Sequence, residues 1–129
     1  MLYEYDVGKH APAVILESYW EMNEHPQKVR EFANQLFQGS VGRLKDIDKA
    51  IQQHTKNWKL SRMAAVDRNI LRLAAYELMS DSKTPATVVI NEALEIAKKF
   101  STHESAQFVN GILDSIKKDL KPANEGVKD

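Results

Sequence analysis

The segment VDRNILRLAAYEL, residues 66–78, decides the fold class of this chain. Its apolar residues recur at intervals of three and four, and they include Val66, Ile70, Leu73, Ala74 and Leu78. Residues spaced in this way lie on one side of an α-helix, whereas a half-buried strand would alternate apolar and polar residues. The segment is therefore predicted to be an amphipathic helix that buries this stripe.

The same spacing continues on the C-terminal side. Thr84-Pro85 is interpreted as a helix cap followed by proline at the first helical position. The next apolar stripe consists of Val89, Ala93, Ile96, Ala97 and Phe100. Ser101 and Glu104 have the spacing of a capping box, which predicts a last helix that ends at about Leu120.

Helical spacing also runs through the N-terminal half. Residues 1–7 have the character of the last turns of a helix that Gly8 ends, and another helix is predicted from Pro12 to about Glu24. In the longer helical stretch that follows, Gly39 and Gly42 mark a bend or a change of helix. No segment alternates with a period of two, so we predict an all-α protein, a compact helical bundle with short loops. Its 129 residues suit one domain, or two small subdomains that share a core.

The segment QFVNGIL, residues 107–113, places a turn dipeptide inside this helical pattern. Glycine in a helix interior costs roughly 1 kcal/mol relative to alanine. We therefore predict that Gly111 allows another helix backbone to approach, and that Asn110 bonds to neighbouring groups.

Composition excludes several classes of function. The chain has no cysteine, so disulfides and thiolate chemistry are absent, and its 18 basic and 18 acidic residues cancel. We find no apolar run that could span a bilayer and no signal-peptide pattern, so we expect a cytoplasmic protein without a membrane. There is no catalytic motif, and the four histidines lack metal-ligand spacing and are expected at the surface. An enzyme, a metal site and a cofactor are therefore not expected.

Two features of the sequence are compatible with a binding function. Arg68 and Arg72 stand one helical turn apart, which suits either a solvated face or a basic patch. Phe108 lies beside polar residues about one turn into the last helix, where an aromatic ring could join the core or stack on a base.

Three segments together resemble the NusB family of bacterial transcription antitermination factors. They are WKLSRMAAVDRNILRLAAYEL (58–78), PATVVINEALEIAKKF (85–100) and SAQFVNGIL (105–113), while LYEYD (2–6) resembles the end of the family's first helix. The resemblance implies an all-α domain over residues 1–120, with subdomains of about 1–57 and 58–120. The polar residues 121–129 are expected to form a disordered tail.

The resemblance also implies a function. NusB pairs with NusE, a small-subunit ribosomal protein, and the pair binds the boxA element of nascent ribosomal RNA transcripts. There it joins the RNA polymerase antitermination complex and helps the polymerase resist termination, so the expected action is binding without catalysis.

Several residues match functional positions of the family. Tyr3 and Asp67 match positions that face NusE. The expected RNA-facing edge consists of Arg72, Glu104, Ser105, Gln107 and Phe108, in which Phe108 would stack on an unpaired base and Arg72 would reach a phosphate. The signature positions Asn91, Glu92, Asn110 and Gly111 are expected to fix the packing of the last helices.

One departure from the family concerns the N-terminus. The family begins with an arginine-rich segment that supplies RNA contacts, and this sequence starts inside the expected first helix. Either Met1 is an internal methionine taken as a start, which we favour, or the chain is a short form with weaker RNA binding.

Two other functions compete with antitermination. One is an accessory RNA-binding domain of a ribosomal RNA cytosine methyltransferase, which would require a long catalytic domain after Asp129. The other is a homodimer that uses surfaces exposed by the absent N-terminal segment.

Overall fold

The protein is a bundle of helices. The computed structural model describes residues 1–55, 59–80 and 84–128. For residue 61 and residues 121–128 it describes the backbone only. This part of the chain is helical and contains no strand, which confirms the all-α prediction. Its α-helices are α1 (Pro12–Met22), α2 (Gln27–Gly42), α3 (Leu44–Gln53), α4 (Ala65–Met79), α5 (Ala86–Phe100) and α6 (His103–Lys128). A π-helical turn, Glu4–Gly8, precedes α1, and a 3-10 turn, Leu60–Arg62, precedes α4.

Proline and glycine set several of the helix boundaries. Pro12 is the first residue of α1, where its fixed φ suits the helix and its missing N–H costs nothing. Pro85 is the cap of α5 rather than its first residue, so the helix begins at Ala86, one position later than predicted. α2 ends at Gly42, where the sequence indicated a change of helix. The N-terminal turn ends at Gly8, but the residue with a left-handed backbone is Lys9, with φ of 59°.

The larger hydrophobic cluster joins α3, α4, α5 and α6. Among its fully buried members are Ile47, Ile51, Leu71, Val109 and Leu113. Burial of one such aliphatic side chain contributes roughly 1.5–3 kcal/mol. A smaller cluster of Leu2, Ile15 and Phe37 joins the N-terminus, α1 and α2.

The helix α4 lies in the centre of the bundle, because α2, α3, α5 and α6 all pack against it. Besides its apolar residues it buries the polar residues Asp67, Asn69 and Arg72. The prediction of a helix with one apolar stripe is therefore incomplete, since α4 is covered on several sides.

Two features differ from the predicted domain limits. The backbone of α6 is helical to Lys128, so the predicted helix end at about Leu120 is wrong. The disordered tail predicted for residues 121–129 stays a prediction. The predicted subdomain boundary at residues 57 and 58 lies outside the described residues. Ile47 and Ile51 of α3 belong to the larger cluster, which spans both predicted subdomains.

Gly39 is the glycine that allows a close helix contact. A Cβ atom at Gly39 would meet the hydroxyl and ring of Tyr76, so α2 and α4 pack against each other through the missing side chain. A Cβ atom at Gly111 would meet nothing within 4 Å. The prediction that Gly111 admits a neighbouring backbone is therefore wrong.

Candidate nucleic-acid and partner interface

The side chain of Arg72 lies in a buried ionic network. Its Nε and Nη2 donate to the two carboxylate oxygens of Asp48, both at 2.9 Å, and its Nη1 donates to Asn69 Oδ1 at 3.2 Å. Nη1 also lies 3.1 Å from Asp6 Oδ2, which accepts a 2.7 Å hydrogen bond from Arg68 Nε. Arg72 is 8% exposed. The donors of Arg72 are engaged inside the protein, and its contact with an RNA phosphate stays a prediction.

The network connects three elements, namely the N-terminal turn, α3 and α4. Its electrostatic effect is seen in the pKa of Asp6. Burial alone would raise the pKa of Asp6, but the hydrogen bond from Arg68 and the charges of Arg72 and Arg68 outweigh it, so the pKa lies below its usual value. Asp6 is therefore stabilised in its charged form.

The two residues predicted to face a protein partner lie where the N-terminal turn packs against α4. Tyr3, beside this turn, is 50% exposed and offers an aromatic ring and a hydroxyl. Asp67 stands in the first turn of α4, where the positive end of the helix dipole favours a carboxylate. Asp67 is only 7% exposed, and its Oδ1 has no hydrogen-bond partner among the described residues. Of the two, Tyr3 is the accessible contact, while Asp67 has an unused acceptor.

The start of α6 brings Glu104, Ser105 and Gln107 together. The cap of this helix is Thr102, whose Oγ1 accepts a 3.0 Å hydrogen bond from the backbone N–H of Ser105. The same Oγ1 lies 3.0 Å from Ser105 Oγ, so the expected capping box of Ser101 and Glu104 is wrong by one position. Glu104 therefore does not cap the helix. Glu104 and Gln107 are both exposed to solvent.

Phe108 is half-buried, and its ring packs against the larger hydrophobic cluster. A ring in this position contributes to the core, which was one of the two alternatives that the sequence left open. Only its uncovered part is available for a ligand. Stacking of a base on Phe108 stays a prediction.

The four signature residues predicted to fix helix packing are exposed instead, and they are Asn91, Glu92, Asn110 and Gly111. The helical phase explains this result. In α6 the buried residues next to Asn110 and Gly111 are Val109 and Ile112, which lie on the opposite side of the helix. The exposure of these four residues gives no support to a packing role, which stays a prediction.

The charge of Glu92 acts on a neighbouring carboxylate. Glu77 of α4 is partly buried, and this burial, together with the charge of Glu92, raises the pKa of Glu77. The exposed edge between α4 and α5 is thus acidic.

One histidine departs from the surface position expected for all four. The side chain of His54, at the end of α3, is 11% exposed. Its Nε2 lies 2.9 Å from Asp119 Oδ2, and its Nδ1 lies 2.5 Å from Ser115 Oγ. A neutral imidazole that donates from Nε2 to the carboxylate can accept at Nδ1 from the serine hydroxyl. The ring therefore connects α3 to α6. Among the described residues, no three His, Cys, Asp or Glu side chains are grouped to hold a metal ion.

The structure reveals an exposed aromatic residue that the sequence assigned to a buried stripe. Phe100, the last residue of α5, is 64% exposed, and the Nζ of Lys99 lies 5.5 Å from its ring centroid. Ile96, from the same predicted stripe, is 39% exposed. The buried face of α5 consists of Val89, Ile90, Ala93 and Ala97. The position of Phe100 directly after two lysines, at a helix end, was the available signal.

Within the described residues, no helix combines the length and the apolar character that a membrane span requires.

Comparisons with known proteins agree on one family. A family model described as the NusB family matches residues 1–118. A transcription antitermination protein NusB of Koribacter versatilis (strain Ellin345) is 48% identical over 121 residues, which cover 93% of this chain and 83% of that protein. Another from Solibacter usitatus (strain Ellin6076) is 42% identical over 127 residues, 96% of this chain and 86% of that protein.

Solved structures give the same result. T. maritima NusB is 37% identical and superposes with a TM-score of 0.79, covering 89% of this chain and 80% of that one. A crystal structure of antitermination factors NusB and NusE in complex with dsRNA matches with a TM-score of 0.84 and 28% identity, covering 92% of this chain and 88% of that one.

Proposed function

Because this chain belongs to the NusB family, we propose that it is a transcription antitermination factor that binds boxA RNA together with NusE. The observation that carries the proposal is the similarity, over nearly the whole chain, to a NusB whose solved structure contains NusE and dsRNA. The factor acts by assembly and catalyses no reaction. It works in the cytoplasm on ribosomal RNA transcripts, as part of an RNA polymerase antitermination complex.

The surface proposed for NusE lies around Tyr3 and the start of α4. The exposed ring of Tyr3 supplies the kind of aromatic contact that is enriched at protein interfaces. Asp67 Oδ1 lacks a partner, and a buried acceptor without a hydrogen bond costs free energy. This oxygen is buried in the isolated chain, so a donor from NusE reaches it only if the surrounding side chains move, and such a bond would recover that cost.

The surface proposed for RNA lies at the start of α6, where Glu104, Ser105 and Gln107 stand together. Gln107 can donate and accept hydrogen bonds with a base edge, as single-stranded RNA recognition requires. The carboxylate of Glu104 opposes phosphate, so it limits affinity there. Arg72, whose side chain lies in the buried ionic network, is not assigned to this surface.

The test is a titration of fluorescently labelled boxA RNA with this chain, with NusE and with both proteins, at one fixed salt concentration because phosphate-driven affinity depends on salt. We expect the mixture to bind more tightly than either protein alone, and to prefer boxA over an RNA of scrambled sequence. Equal binding of boxA and scrambled RNA would contradict the proposed function.

The protein contact is tested separately by capture of NusE in the absence of RNA. Tyr3→Ala should weaken capture, while Tyr19→Ala, which truncates a tyrosine of α1 that is 36% exposed, serves as the matched control. Light scattering of the same samples detects self-association. A chain that stays dimeric and takes up no NusE would favour the homodimer instead.

A further inference from the structure

The end of α5 presents an aromatic ring to solvent beside several cations. Phe100 is 64% exposed, against 55% for Phe32 and 50% for Tyr3. Lys98 and Lys99 precede it in the last turn of α5 and are both exposed. His103, at the start of α6, is also exposed.

Phe100 contributes little to the core, since most of its surface remains in contact with water. The hydrophobic contribution of a side chain scales with the apolar area that it removes from water. Phe108, in the second turn of α6, is covered in part by the larger cluster. The two rings therefore differ in how much surface they offer to a ligand.

The contact of Lys99 with Phe100 leaves the ring accessible. The Nζ of Lys99 lies over the ring at 5.5 Å from its centroid, which is a cation–π distance. The 64% exposure of Phe100 is what remains after Lys99 has covered its share of the side chain, so open ring surface is left. A ring of this kind, flanked by ammonium groups, combines a stacking face with partners for phosphate.

Single-stranded nucleic acids bind to this combination. Unpaired bases stack on aromatic side chains, because every base has a π-face, while nearby cations hold the backbone. Double-stranded RNA offers no free base face to such a ring. The chemistry at the end of α5 therefore suits an unpaired base with its adjoining phosphates.

We propose that Phe100 stacks on an unpaired base of single-stranded RNA, and that Lys98 and Lys99 bind the phosphates on either side of that base. This inference rests on the proposed function, because it adds a contact to the RNA surface at the start of α6. Ser101 and Thr102 alone separate Phe100 from α6, so one RNA strand can reach both. Phe100 adds a second stacking contact to the base stacking that is predicted for Phe108.

The experiment compares wild type, Phe100→Leu and Val88→Ala in RNA titrations with NusE present. Leucine keeps an apolar side chain but removes the π-face, and Val88 is a matched control because it is an exposed apolar residue of the same helix, 41% exposed. Loss of one stacked base should weaken RNA binding about tenfold, within a range of roughly five- to 150-fold. Val88→Ala should change it less than twofold, and both variants should keep the thermal unfolding midpoint of wild type.

The cations are tested by the salt dependence of binding. Lys98→Gln and Lys99→Gln should each reduce the slope of log affinity against log salt concentration by about 0.7, the value for one phosphate contact on a single strand. Unchanged slopes in both variants would overturn the phosphate part of the proposal.

Two RNAs separate this inference from the proposed function. One contains boxA, and the other is an unstructured strand of scrambled sequence. If wild type prefers boxA and Phe100→Leu weakens binding to both, both proposals are supported. If wild type shows no preference but Phe100→Leu still weakens both, the boxA function fails and the stacking site stands.

The remaining outcomes overturn the stacking site. If wild type prefers boxA and Phe100→Leu binds within twofold of it, the ring does not contact RNA. If Phe100→Leu instead weakens NusE capture without RNA, the ring is a protein contact. If wild type binds neither RNA, both proposals are overturned.

Discussion

Replacement of Arg72 by methionine distinguishes a structural arginine from an RNA contact. Methionine approximates the aliphatic stem of arginine and removes the guanidinium. The change deletes two hydrogen bonds to Asp48 and one to Asn69, and it takes a cation away from Asp6. Arg72→Met should therefore destabilise the isolated protein.

The magnitude follows from the burial of the partners. Removal of one member of a fully buried ion pair costs about 3–5 kcal/mol, because the other charge remains buried. The side chain of Asp48 is 30% exposed, so water can solvate it in part, whereas Asp6 at 12% keeps Arg68 as a partner. We therefore expect a loss of about 2–3 kcal/mol, or a fall in the unfolding midpoint of about 10 °C for a chain of this size.

The assay is urea unfolding of wild type, Arg72→Met, Asp48→Asn and the double variant. Residues in direct contact should show a coupling energy of about 1–2 kcal/mol in such a cycle. Arg62→Met removes an arginine that is exposed, and it serves as the control with little expected loss.

The opposite pattern would refute this account of Arg72. If Arg72→Met unfolds at the urea midpoint of wild type, the network does not hold α3 and α4 together. If the same variant also loses RNA affinity with a salt slope reduced by about 0.7, Arg72 binds phosphate after all.

The structure makes further predictions about stability. Gly39→Ala should cost about 1–3 kcal/mol, because the added methyl group overlaps Tyr76, and a urea midpoint equal to that of wild type would contradict the contact. Gly111→Ala should stabilise the isolated chain by up to about 1 kcal/mol, since its Cβ site is empty; a loss of stability would show that the helix packs there. Asp6 has a lowered pKa, so its contribution is present above the unfolded value of 3.8 and is lost as the pH falls through the folded value. Urea midpoints measured from about pH 5 to pH 2 should therefore fall less steeply for Asp6→Asn than for wild type. His54→Leu should lower the thermal midpoint by the equivalent of about 1 kcal/mol, because α3 and α6 lose a shared hydrogen-bond partner; no change would refute that link.

The residues on α4 illustrate the limit of sequence periodicity. Apolar spacing correctly predicts a helix here, and it identifies Ala74 as buried. It omits Leu71 and Ala75, which are both 0% exposed, because a stripe assumes that only one side of a helix is covered. The burial of Arg72 depends on Asp48, 24 residues away, and on Asp6 in the N-terminal turn. No local pattern contains that information.

The two aromatic residues near the proposed RNA surface show the same limit. Sequence spacing assigned Phe100 to a buried stripe and left Phe108 open to either role. The exposed position of Phe100 follows from its place at the end of α5, beyond the last buried residue, Ala97. The helical period determines which side of a helix is apolar. Only the packing of neighbouring helices decides how far along that side the buried core extends.

The sequence by itself determined the all-α class, the order of the helices, the change of helix at Gly42 and the family, because these depend on local spacing and on residue identity. Only the tertiary structure decided that Gly39 rather than Gly111 admits a neighbouring helix, that Arg72 is enclosed and that Phe100 is open to solvent. The physical reason is that contact, burial and ion pairing depend on which elements meet in space, and residues far apart in the chain supply those partners.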